Sequence, residues 1–144
     1  MKYLKKWFKT RCDIIVNVEN NMFDEYLEEN KYIDYYNPYV KAVADKLRKE
    51  SKDSLSLIEA TYLFVRDNIH YSSDVQDNRV TVSASDVLRE RVGICWAKAN
   101  LFAALLRANG VSAGFSYQRL LLGDTPETGY CIHALNTVYV PTLK

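Results

Sequence analysis

The 144-residue sequence predicts an α+β fold, with helices first and strands last, and three observations carry that prediction. Apolar residues recur at helical spacing in two stretches after Pro38 and again from Cys95 to Ala108. Beyond Gly110 the apolar period falls to two. The two late period-two runs flank Gly123-Asp124-Thr125-Pro126, which is turn chemistry, so they can pair as an antiparallel hairpin.

Residues 1–36 form a poorly defined N-terminal segment ahead of a core at 37–144, and the whole reads as one domain. Within that segment Lys2 to Lys9 suggests one amphipathic turn. Cys12 to Val18 suggests a short strand or extended arm, and Met22 to Glu29 a helical turn with its acids outward. Asn37-Pro38 starts a helix, with the cap at Asn and proline in the first turn; Val40, Val43, Ala44 and Leu47 form its stripe. A second helix runs to about Asn68, with Ser56 and Glu59 at capping-box spacing. Ile58, Tyr62 and Val65 point inward there, and Leu55, Ala60, Leu63 and Phe64 widen that face. A polar loop, Ser72 to Asn78, and an extended Val80-Thr81-Val82 lead to a short turn capped by Ser83 or Ser85, then to a hinge at Gly93. The next helix opens at Cys95, is apolar on most sides, and ends at Gly110, where a residue free to take positive φ is needed. Val111 to Leu122 and Cys131 to Val140 are the two strands. His133 lies on one face of the second and Asn136 on the other.

Composition narrows the function classes. With 48% apolar and 26% charged residues the chain is ordinary globular material, and a net charge of +1 gives no electrostatic case for nucleic acid or an anionic membrane. No apolar run approaches the ~20 residues that span a bilayer, and no signal peptide is read at the N-terminus. Three cysteines without a CxxC pair suit free thiols in a cytoplasmic, reducing compartment. Cys95, Cys131 and His133 make a poor zinc set with only two histidines in the chain, so no metal and no cofactor is expected. The eleven tyrosines, five of them between Tyr26 and Tyr39, read as half-buried packing.

Cys95 is the residue to explain. In the first turn of a helix the free N–H groups and the dipole favour a thiolate, the nucleophilic form of cysteine. His133, on a strand, is the natural proton partner for such a thiol. Gln118 can donate to an oxyanion beside the Cys95 N–H, and Trp96 can wall a cleft or pack in the core. His70, at a helix end, reads as capping or exposed, and Arg107 as snorkelling or paired with an acid.

Ala84-Ser85-Asp86-Val87-Leu88 through Gly93-Ile94-Cys95, then Ala103 to Val111, then Cys131-Ile132-His133-Ala134 resembles the core of transglutaminase-like domains, most closely the small bacterial ones. Tyr117-Gln118-Arg119-Leu120 and Val65-Arg66-Asp67-Asn68-Ile69 fit the same pattern. The resemblance implies a papain-like fold and a Cys-His-Asp triad with Cys95 as nucleophile and His133 as base. It implies a thiol-dependent acyl-transfer enzyme that hydrolyses or transamidates a protein or peptide amide. The family's aspartate follows some fifteen residues after the histidine, whereas the chain stops at Lys144, so the domain reads as truncated and the third member as missing. Asn136 follows too soon, and Asp86 and Asp124 are the available stand-ins. The alternative is an impaired or truncated domain acting as a protein-interaction module, with an exposed sheet edge through which it can also form a homo-oligomer.

Overall fold

The structure is a computed structural model that describes residues 14–17 and 24–140. The expected turn at 2–9 and Cys12 lie outside the described residues. The α+β order holds. Strand β1 (Ile14–Asn17) and a 3-10 turn (Asp24–Leu27) precede α1 (Pro38–Glu50) and α2 (Ser54–Asn68). Strand β2 (His70–Tyr71), α3 (Ala84–Glu90) and β3 (Val92–Gly93) lead into α4 (Cys95–Arg107). The hairpin of β4 (Ala113–Leu121) and β5 (Tyr130–Tyr139) closes the sequence.

Local chemistry explains most boundaries. Asn37 caps α1 by accepting from the Tyr39 N–H at 3.0 Å, with Pro38 at the first position. The α2 capping box sits three residues earlier than the Ser56/Glu59 spacing suggests. Asp53 accepts from the Ser56 N–H at 2.8 Å, and the Ser56 hydroxyl accepts from the Asp53 N–H at 2.9 Å. An ionised aspartate is the stronger acceptor, and choosing it as cap leaves Leu55 exposed in the first turn rather than inward. Ser83, rather than Ser85, caps α3. Gly110 does take positive φ, at 72°. Gly93 is no hinge: it lies in β3, where an added Cβ would press on the Ala97 Cβ and the Thr81 hydroxyl, each at 3.1 Å.

The hairpin keeps a regular antiparallel register from Ala113 opposite Val138 to Leu121 opposite Tyr130, with Gln118 opposite His133. On the other side of β5, β1 runs parallel and, among the described residues, pairs with residues 136–139. An unexpected second sheet pairs β2 with β3 in parallel, tying the end of α2 to the residues just before Cys95. The core gathers around α4, whose residues 97–107 are all buried, including Leu101, Leu105 and Leu106. Helices α1, α2 and α3 pack on it from one side and the β4–β5 hairpin from the other. Among the described residues no helix is long and apolar enough to cross a membrane.

Candidate functional site

Helix α4 begins at Cys95 itself, and its N-cap, Ile94, contributes no side-chain capping bond. The thiol is free and half-buried, so it stands at the mouth of a helix whose body is sealed in the core. Trp96, next in line, is half-buried with its ring edge-on to Tyr32 at 5.6 Å. It contributes packing with the tyrosine segment and borders the helix mouth.

Two polar fasteners orient α4 against the hairpin. Asn136 of β5 donates to the Ala99 carbonyl at 3.1 Å and to the Gly114 carbonyl at 3.2 Å. At the far end of α4, Arg107 donates from Nε (2.9 Å) and Nη2 (2.6 Å) to the Ala113 carbonyl, opposite Val138. Its Nη1 reaches the Glu28 carbonyl at 2.6 Å. Arg107 is therefore buried on three carbonyl bonds rather than snorkelling or paired with an acid, and burial lowers its pKa from the ordinary arginine value. Running from Arg107 through Ala99 towards Cys95 thus accompanies running from Val138 through Asn136 towards His133. From Ala99 to Cys95 is about 6 Å at ~1.5 Å per residue. From Asn136 to His133 is about 10 Å at ~3.3 Å per residue. The cysteine and the histidine therefore lie towards the same end of the α4–β5 pair.

Alternation along β5 buries Ala134, Asn136 and Val138 towards α4, and places half-buried His133 in the set with Leu135 and Thr137. Gln118, exposed and directly opposite, shares that set. Among the described residues no hydrogen bond joins the thiol to the imidazole. The described part of β1 begins opposite Asn136 and runs towards Tyr139. The aspartate stand-ins are otherwise engaged. Asp86 pairs with Arg89 at 2.7 Å, Asp124 sits in the exposed hairpin turn, and Asn136 is committed to its two carbonyls.

Sequence reasoning passed over three features near the cysteine. Lys98 is buried one turn into α4 and donates to the Ile69 carbonyl, while Asn100 donates to the Val82 carbonyl at 2.8 Å. These polar residues inside an otherwise apolar run were the available signal. The third feature is a cleft of about 340 Å³ between the loop 72–81 and Ile94. Its rim is held by Arg79, which pairs with Asp77 and with Glu90, each at 2.6 Å. The guanidinium beside it holds the Asp77 carboxyl down to about 2. His70 is exposed in β2, paired with Val92 of β3.

The geometry meets its relatives at this point. The fold is shared with the crystal structure of a proposed cysteine protease from Cytophaga hutchinsonii, at 23% identity and TM-score 0.64 over 80% of this chain. It is also shared with the periplasmic domain of TgpA from Pseudomonas aeruginosa, solved with ethylmercury, at 23% identity and TM-score 0.57 over 81% of this chain. The chain spans 37% and 43% of the length of those two structures. No curated protein matches it. A family model matches residues 41–144, from α1 through the histidine strand, and by that match the chain belongs to the transglutaminase-like superfamily.

Proposed function

We propose that the chain carries a thiol-dependent acyl-transfer site in which Cys95 is the nucleophile and His133 its acid and base. The observation that carries the reading is the free cysteine at the first position of a buried helix that has no side-chain cap. The unfilled N–H groups and the dipole of such a mouth favour a thiolate and, later, an oxyanion. The His133 ring meets the sulfur at the end of the α4–β5 pair towards which both residues lie. The thiolate adds to a peptide or carboxamide carbonyl, forming a C–S bond, with the Cys95 N–H as a donor to the oxyanion and the Gln118 amide as the proposed second donor. Collapse breaks the C–N bond, the amine leaves with the proton from His133, and a thioester remains. Water then adds, His133 takes its proton, and the thiolate departs from the new carboxylic acid. Transamidation would follow the same course with an amine adding to the thioester in place of water.

Free thiols support a reducing, cytoplasmic setting, whereas the similar TgpA domain is periplasmic. A second reading, a peptide-binding module, draws on the outer end of the hairpin. Tyr117, Tyr130 and Ile132 are 59%, 45% and 64% exposed there, on the face that buries Ala134 further in. The two readings separate in one measurement, iodoacetamide labelling of Cys95 as a function of pH. The enzyme reading expects labelling at pH 6 well above that of free cysteine, with a further inflection that disappears in His133→Ala. Labelling no faster than free cysteine at pH 6 sinks it and leaves the binding module.

A further inference from the structure

We propose that the cleft between the loop 72–81 and Ile94 is a substrate subsite that receives an uncharged side chain adjoining the carbonyl attacked by Cys95; this rests on the acyl-transfer reading above. Ile94 both walls the cleft and immediately precedes Cys95, so the cavity is lined by the residue next in sequence to the nucleophile. At about 340 Å³ it is a small site, suited to one side chain and its neighbouring backbone. The apolar walls are Val80, 87% exposed, and Ile94, 47% exposed, a pairing of open aliphatic surface that a substrate stem would cover. Gln76 and Asn78 line the same cleft, and among the described residues their side chains make no hydrogen bond. Gln76 is held at a positive φ of 52°. The charged members of the lining are already spent: Arg79 is shared between Asp77 and Glu90. A lysine or glutamate entering here would lose water without gaining a counter-charge, whereas an aliphatic or amide side chain would gain apolar cover and amide partners.

Labelling of Cys95 by N-acetyl-aminoacyl chloromethyl ketones tests this, with the intact mass following C–S bond formation and loss of chloride. Leucyl and glutaminyl reagents are expected to react about tenfold faster than glutamyl and lysyl ones, a discrimination typical of side-chain pockets. Val80→Lys should raise the glutamyl rate relative to the leucyl rate, and Val80→Asp should raise the lysyl rate relative to it. Because Val80 is exposed, both variants are expected to fold, and circular dichroism checks this. Equal rates for all four reagents, or ratios unchanged in both variants, overturn the subsite. Slow iodoacetamide labelling in the parent protein would instead overturn the nucleophile, and the ratios among the four reagents separate the two failures.

Discussion

A single side chain, Asn136, fixes how far β5 slides along α4. Its amide spans the Ala99 and Gly114 carbonyls, and the residue is 5% exposed, so neither acceptor has ready access to water. Asn136→Ala should cost about 1–3 kcal/mol in urea unfolding, the usual loss when buried acceptors are stranded. Asn136→Asp should cost more than alanine does, since an ionised carboxylate cannot donate and would face two carbonyl oxygens. Equal stability of the aspartate and parent proteins would contradict this placement of the residue. The sequence showed that Asn136 and His133 occupy opposite strand faces. It could not show which carbonyls wait for the amide, because Ala99 lies 37 positions away.

At the scale of elements, the loop 72–81 is held in place chiefly by charge and by main-chain bonds to its neighbours. Asp77 accepts from the Arg79 N–H at 2.8 Å and pairs with its guanidinium, which in turn reaches Glu90 of α3. The Asp77 carboxyl sits below its ordinary 3.8, at about 2, so its contribution to stability is complete above about pH 4 and is lost as the pH falls through 2. Asp77→Asn should therefore melt below the parent protein at pH 7, by a margin that closes as the pH approaches 2 and shrinks in high salt. A margin constant from pH 7 to pH 2 would rule out the ion pair as its source. Helix caps and stripes were legible because they are written within four residues of one another. The β2–β3 pairing was not, since two-residue strands have too little pattern to announce a partner 22 residues away.

For the molecule as a whole, Arg107 joins three parts of the chain: the end of α4, the start of β4, and the segment around Glu28 that leads out of the 3-10 turn. Arg107→Met keeps the volume and removes every donor. It is expected to lower stability by about 2–4 kcal/mol and to loosen the segment at 24–29 before the core melts. Hydrogen exchange checks this: earlier exchange confined to that segment supports the tie, and unchanged protection there contradicts it. Above Gly114 the same segment lays the Tyr26 ring so close that an added Cβ would come within 2.6 Å of it. The first third of the chain is thereby built onto the sheet. Its tyrosines divide accordingly: Tyr35 bonds the Leu27 carbonyl at 3.0 Å, with burial raising its pKa, while Tyr36 and Tyr39 stay exposed.

The sequence by itself determined the α+β order, the helix that starts at Cys95 and the pairing of the last two strands as an antiparallel hairpin, because each of these is encoded by periodicity and turns acting over short range; the register that sets Gln118 opposite His133 came from the structure. Only the tertiary structure decided which end of the sheet the helix mouth faces, what holds it there and what lies beside it. Those answers come from carbonyl groups claimed by Asn136, Lys98 and Arg107 across long stretches of chain, and a carbonyl looks the same in every sequence.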